Sequence, residues 1–399
     1  MSAPRVLIAD AVSTDCDDIL RAHGIEVHRA LGLSPAEYGD LVGDFEGMIV
    51  RSAVKIDRAM IERMQTMRAL GRAGTGVDNI DVVAATEKGI IVMNVPDGNT
   101  ISAAEHSIAM LLSLMRKIPA ASASIRDGKW DRKSFTGNEV LDKRVGILGM
   151  GRIGREVATR LRAFGATIIG HDPVLSADAV GSLGATPVTF EELIETSDII
   201  SIHIPLVAET KGLIGKAELA RMRKGAFIVN CARGGIVDEV ALLESLNAGH
   251  TGGAALDVFE EEPPQFPSEL GVHPNVVATP HIAASTREAQ ERVAIAIAHQ
   301  LAEYFEGAGA RGVVNARGLE ASLGAAALPL MSAASLLGQM LGQLVACDNV
   351  ECRLTAYGPD AVQIVRGLGA SFLAGLFSCT DPTANPINAE LLASRRNVR

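Results

Sequence analysis

Aromatic side chains are scarce: Phe, Tyr and Trp make up 4% of the 399 residues, with a single Trp. Since 48% of residues are hydrophobic and 40 are glycine, the cores must be aliphatic and Ala-rich, which suits helices layered on sheets. Cysteine is also thin. Cys16, Cys231, Cys347, Cys352 and Cys379 are odd in number, irregular in spacing and contain no C-x-x-C. They read as reduced intracellular thiols, not a disulfide framework, and no metal site is expected. No signal-peptide pattern precedes the first strand candidate, so a cytoplasmic location is expected. Positive charge is in deficit, 37 Lys and Arg against 47 Asp and Glu, for a net −10. That argues against nucleic acid or an anionic membrane as the main partner.

One long stretch has no charge at all, residues 321–347, which raises the question of a membrane span. Its polar residues Ser332, Ser335, Gln339 and Gln343 share one helical face, however. Leu336, Leu337, Met340, Leu341, Leu344 and Val345 share another, and Pro329 precedes them. The expectation is an amphipathic helix of a soluble protein.

What is present is organised around residues 143–172. Val145, Ile147 and Leu148 form an apolar run, followed by G-x-G-x-x-G at Gly149, Gly151 and Gly154. A helical pattern comes next, with Ile153, Val157, Leu161 and Phe164 on one face. A second run, Thr167, Ile168 and Ile169, then ends near Asp172. This is a βαβ half-unit for dinucleotide binding. Gly149 permits the tight turn, Gly151 leaves room for a pyrophosphate, and Gly154 lets helix and sheet approach. The helix N-terminus offers free N–H groups to phosphate. Asp172 can accept from a ribose diol and would repel a 2′-phosphate, which favours NAD over NADP.

Elsewhere short apolar runs alternate with helical patterns. Strands are expected at 6–9, 25–28, 47–50, 69–71 and 90–94, and again at 198–204, 226–230, 253–256 and 276–278. Helices are expected at 15–23, 35–42, 57–64, 82–87, 100–117, 190–195, 217–222, 238–248 and 285–306. The fold class is therefore α/β, with two doubly wound parallel-sheet lobes, one flavodoxin-like and one Rossmann, and a small C-terminal α/β segment. The expected domains are 1–97 with 285–315, 98–284, and 316–399, with a cleft between the two lobes.

Ligands of such sheets lie at the carboxyl ends of strands. Arg51 follows one strand candidate, and Arg72 and Gly74 follow another in a glycine-rich loop. They suit a small anion, or are simply surface arginines beside a loop. In the second half Arg233, Glu262 and His281 stand after strand candidates. Oxidation of a 2-hydroxy acid needs a base, a cation for carboxylate and oxyanion, and a carboxylate to orient the base. His, Arg and Glu suit these roles in turn. Glu260 and Glu261 compete with Glu262 on spacing alone. The other eight histidines show no such neighbours. Trp130, in a polar basic stretch at 125–135, is either packed locally or anchored in another subunit.

Six stretches together resemble one family: GRAGTGVDNID (71–81), DGKWDRK (127–133), GILGMGRIGREVATR (146–160), NCARGGIVDE (230–239), AALDVFEEEPP (254–264) and PHIAAST (280–286). The chain resembles the NAD-dependent D-isomer-specific 2-hydroxyacid dehydrogenases over most of residues 1–315. The resemblance implies that Arg233, Glu262 and His281 are catalytic, with Glu262 selected because the family's glutamate directly precedes the proline. It implies cofactor contacts at Thr75, Gly149, Gly151, Arg152, Ile153, Gly154, Asp172, Ile204, Cys231, Asp257 and Ala284. It implies substrate contacts at Arg51, Arg72 and Gly74, with Arg132 and Lys133 reaching a neighbouring subunit's site in a homodimer or homotetramer. The implied reaction is oxidation of 3-phospho-D-glycerate to 3-phosphooxypyruvate at the entry to serine synthesis. A glyoxylate or hydroxypyruvate reductase would share the triad, and an NAD-sensing corepressor-like binding protein would share the fold. Residues 316–399 resemble the start of an intervening domain of longer members. The expectation is a short form without the serine-binding regulatory domain.

Overall fold

A computed structural model describes residues 3–316, 319, 327–345, 350–358 and 364–398. It divides into two units, residues 1–99 with 287–399, and residues 100–286. In the first unit β1 (Arg5–Ile8), α1 (Asp15–Ala22), β2 (Glu26–Arg29), α2 (Pro35–Leu41), β3 (Gly47–Val50), α3 (Arg58–Arg63), β4 (Ala69–Arg72), α4 (Val82–Glu87) and β5 (Ile91–Asn94) follow in order. The five strands are parallel, in the order β2-β1-β3-β4-β5. β3 is buried along its whole length because helices cover both sheet faces. The helices begin where side chains can fill orphan N–H groups: Ser34 and Glu37 form a capping box, and Asp57 and Asp81 cap α3 and α4.

The second unit starts with α5 (Thr100–Met115) and α6 (Ile118–Arg126). The single helix expected to Lys117 ends at Met115, because Lys117 turns left-handed at φ 53°. β6 (Arg144–Leu148), α7 (Arg152–Ala163), β7 (Thr167–His171), α8 (Ala177–Ser182), β8 (Thr186–Pro187), α9 (Phe190–Thr196), β9 (Ile199–Ile202), α10 (Lys216–Arg221), β10 (Phe227–Asn230), α11 (Glu239–Asn247), β11 (Gly253–Leu256) and β12 (Val276–Ala278) follow. All seven strands are parallel, in the order β12-β11-β10-β9-β6-β7-β8. The order reverses direction at β6, so the loops after β6 and β9 flank the switch point. Neither α6, α8 nor β8 was anticipated from the sequence. β8 has only two residues, one of them Pro187, as befits a sheet edge.

The first unit is completed by α12 (Arg287–Glu306), α13 (Leu328–Gly342), α14 (Val365–Phe377) and α15 (Ala389–Arg395). α12 lies so close to β4 that a Cβ on Gly71 would fall 2.8 Å from Ile297. Among the described residues the C-terminal segment consists of helices joined by irregular chain and forms no strand. It packs back through an ion pair between Arg395 and Glu87 and a 3.3 Å bond from Asn388 Nδ2 to Glu87 O.

The facing of α13 differs from the expectation. Met331, Ala334 and Gly338 are buried, whereas Leu336, Leu337, Met340, Leu341, Leu344 and Val345 are exposed. The reason is backbone proximity. Gly338 and Gly342 lie against the carbonyls of Phe372 and Leu376, and Gly375 lies against that of Ser335. Only a glycine and alanine face fits so close a crossing, and the leucines point away. Residues 321–326, Ala346 and Cys347 of that uncharged stretch lie outside the described residues. Among the described residues no single helix is long and apolar enough to cross a membrane.

Candidate active site

The glycine turn follows β6 directly. Gly149 takes φ 94° and donates its N–H to His171 O at 2.8 Å. A Cβ there would meet His203 O at 2.7 Å. Gly151 is the N-cap of α7 and has nothing within 4 Å of a built Cβ. A Cβ on Gly154 would run into the Gly149 carbonyl. Asp172, just past β7, accepts from Met150 N at 2.8 Å, Val174 N at 2.9 Å and Leu175 N at 3.1 Å. A cavity of about 740 Å³ opens beside this turn, lined by Gly149, Gly151, Asp172, Ile204, Pro205 and Thr210 among others. A bare helix N-terminus, a cradle that a side chain would fill and an acid at the next strand end fit a dinucleotide.

Three more strand ends in the same sheet carry Arg233, Glu262 and His281. His281 follows β12 and adopts φ 52°, a left-handed conformation uncommon for a side-chain-bearing residue. Its Nδ1 lies 2.6 Å from Glu262 Oε2. Glu262 Oε1 accepts from Phe259 N at 3.1 Å, which aims the carboxylate. Arg233, after β10, is half-buried; its Nη1 donates to Ala232 O at 2.6 Å, and Asn230 Nδ2 holds Arg233 O at 2.9 Å. The hydrogen bond to Glu262 raises the His281 pKa above its ordinary value, against burial and the Arg233 charge, which lower it. Burial pushes the Glu262 carboxyl up, but the bonds from His281 and Phe259 N outweigh it, so its pKa is lowered. A largely apolar cavity of about 820 Å³ adjoins the pair, lined by Phe259, Glu262, Pro263, Phe266, Val272 and His281 among others. With Nδ1 engaged by Glu262, Nε2 is left to exchange a proton with a ligand.

The sequence profile described as D-isomer specific 2-hydroxyacid dehydrogenase, NAD binding domain, matches residues 108–283. A Homo sapiens D-3-phosphoglycerate dehydrogenase is 43% identical over 396 residues, 99% of this chain and 74% of that relative. The chain belongs to the D-isomer-specific 2-hydroxyacid dehydrogenases. A glyoxylate reductase of Paecilomyes thermophila, 31% identical, superposes with a TM-score of 0.72 over 79% of this chain and 99% of that one. The D-lactate dehydrogenase of Aquifex aeolicus, solved with NAD and lactic acid, is 26% identical with a TM-score of 0.67 over 76% and 96%. For this 2-hydroxyacid dehydrogenase the cofactor is NAD and the substrate a small 2-hydroxy acid.

The remaining expected positions divide into three groups. Ile204 lines the cavity at the glycine turn, Arg152 is exposed on the first turn of α7, and Ile153 packs against the core. Ala284 is half-buried just after the His281 turn. Cys231 is buried, and burial pushes its thiol up to about 12, so it stays protonated. Asp257 is fully buried, with both carboxylate oxygens bonded to the 279–283 turn. The carboxylate lies beneath the turn that carries His281.

In the first unit, Arg51 N donates to Asp10 Oδ2 at 2.6 Å, and its Nη1 to Ala11 O at 3.2 Å. The Arg72 guanidinium folds over Gly74, where a Cβ would run into Arg72 Nη1, and Gly74 itself takes φ 152°. Thr75 donates to Asn99 Oδ1 at 2.6 Å. Arg132 and Lys133 are exposed in the loop after α6, as is Trp130 at 82%.

The reading that only His281 has an acidic neighbour needs correction. His23 Nδ1 lies 2.7 Å from Glu306 Oε1, and His106 Nε2 lies 3.3 Å from Asp257 Oδ1. These partners are hundreds of residues apart or nearly so, and no local spacing announces them. His106 and Thr279, which sequence reasoning passed over, belong to the ground on which His281 stands.

Proposed function

We propose that this chain oxidises 3-phospho-D-glycerate to 3-phosphooxypyruvate, the entry to phosphorylated serine synthesis. The observation that carries the reading is the 2.6 Å pairing of His281 Nδ1 with Glu262, beside Arg233, on a chain 43% identical to a D-3-phosphoglycerate dehydrogenase. NAD, when bound, supplies the hydride acceptor. His281 Nε2 takes the proton of the C2 hydroxyl while the C2 hydride departs. Arg233 grips the carboxylate and stabilises the developing oxygen charge. Glu262 keeps the imidazole in the tautomer that leaves Nε2 free and steadies the imidazolium that forms.

Arg51, Arg72 and Gly74 are the phosphate contacts in this reading, with Arg132 and Lys133 serving a neighbouring subunit. The enzyme is a cytoplasmic homodimer or homotetramer. Supporting that assembly, α6 has no buried residue, and Ile118, Ile125 and Trp130 are 51%, 57% and 82% exposed. Sedimentation showing only monomer at working concentration would contradict it. The substrate is tested by Arg72→Ala. Each charge-assisted phosphate contact contributes about 1.5–3 kcal/mol, so KM for 3-phospho-D-glycerate should rise about ten- to a hundredfold. Activity on an unphosphorylated 2-hydroxy acid should hardly change. A wild type that prefers glycerate or lactate refutes the phosphoglycerate reading and leaves the dehydrogenase assignment intact.

A further inference from the structure

His281 is held in its left-handed conformation from below. Its N–H donates to Asp257 O at 2.8 Å and to Thr279 O at 3.0 Å. The next two N–H groups reach the Asp257 carboxylate, Ile282 N to Oδ1 at 2.9 Å and Ala283 N to Oδ2 at 2.8 Å. Thr279 donates its hydroxyl to Oδ1 at 2.5 Å. A carboxylate without exposed surface is costly unless such donors fill its lone pairs.

The remaining donor comes from another element. His106, on α5, brings Nε2 to 3.2 Å from Thr279 Oγ1 and 3.3 Å from Asp257 Oδ1. The single Thr279 hydroxyl proton is committed to Asp257, so Nε2 must carry its own hydrogen and donate it, shared between the two oxygens. One helical turn later, Met110 Sδ lies 3.6 Å from Thr279 Oγ1. The i,i+4 face of α5 thus braces the strand end that leads into His281. A residue kept at a sparsely populated backbone conformation needs surroundings that over-determine it. His106, Thr279 and Asp257 are those surroundings.

We propose that His106 is a positioning residue for His281: through Thr279 and Asp257 it locks the turn that aims the imidazole at Glu262 and at the substrate. The kinetic consequence rests on the functional reading above; the structural one does not. The charged groups that act on His281 are Glu262, Arg233 and Asp257, and His106 touches only the last. Its loss therefore acts through geometry, by loosening the His281–Glu262 bond.

The test uses the full chain with His106→Ala, His106→Gln, whose amide keeps a donor at similar reach, and His106→Leu, which fills the space without one. Two quantities are read: kcat and KM for NAD-dependent oxidation of 3-phospho-D-glycerate, and the titration of the His281 imidazole by NMR. His106→Ala should lose about ten- to a hundredfold in kcat, the cost of a slightly misplaced reacting group, with both KM values within about twofold. Its His281 should titrate at lower pH than in wild type. His106→Gln should recover most of both, and His106→Leu should behave as Ala, so it replaces the Ala variant if that one does not fold. Wild-type kcat and an unmoved His281 titration in the variants lacking a donor overturn the inference. So does a loss that the Gln variant shares in full. If the wild type oxidises no 2-hydroxy acid, the functional reading falls, and the His281 titration alone decides the inference.

Discussion

Two glycines three residues apart should fail in different ways when a methyl group is added. A Cβ on Gly154 would strike the Gly149 carbonyl and lie 3.2 Å from Ile147 Cγ2, so backbone must move. Overpacking of this kind costs about 1–3 kcal/mol. In a unit spanning residues 100–286, that is a loss of about 2–12 °C in Tm. Gly151 has nothing within 4 Å of its Cβ and an ordinary φ of −68°. Gly151→Ala should therefore change stability by less than about 1 kcal/mol, the cost of Ala at an N-cap. Its methyl group would occupy the space assigned to the pyrophosphate. Losing one charge-assisted contact there weakens NAD binding about ten- to a hundredfold. Thermal unfolding with and without NAD, together with calorimetric titration, separates the two effects. At an NAD concentration a hundred times the wild-type Kd, the wild type gains about 2.7 kcal/mol. Gly151→Ala with a hundredfold weaker Kd gains only about 0.4 kcal/mol there. If Gly151→Ala keeps wild-type affinity, the pyrophosphate does not approach that backbone and the cofactor placement is wrong. If Gly154→Ala melts with the wild type, the packing argument fails.

Three further outcomes are expected. His281→Ala should lower kcat by about 10²–10⁴-fold, the usual contribution of general acid–base catalysis, while NAD affinity measured by calorimetry persists. Glu262→Gln removes the group that raises the His281 pKa. The base form then appears at lower pH, so the acidic limb of the kcat/KM profile should move to lower pH; a move to higher pH would reverse the assigned roles. Asp172→Ala should narrow the preference for NAD over NADP, and equal wild-type efficiency with both would remove Asp172 from the cofactor's ribose.

Much of the architecture is written locally. Alternating apolar runs such as Val145–Ile147–Leu148 and the turn at Gly149 specify strand, turn and helix within a few residues, because backbone sterics and burial act at that range. The acid at Asp172 could be placed for the same reason, one strand beyond the turn. The choice among Glu260, Glu261 and Glu262 could not be made from spacing. It depends on how the loop after β11 folds back, where Phe259 N clamps Glu262 and leaves its other oxygen 2.6 Å from His281. α13 shows the same limit. Its periodicity announced two faces, but the buried one is chosen by Gly338 and Gly342 admitting the backbone of α14 and Gly375 admitting that of α13, against the rule that leucines go inside. The pairing of His106 with Asp257 is more remote still, since it needs α5 laid beside the ends of β11 and β12. Sequence by itself determined most of the sheet-forming elements and the cofactor turn. Only tertiary structure decided which side chains meet, because strand order, not chain distance, brings their ends together.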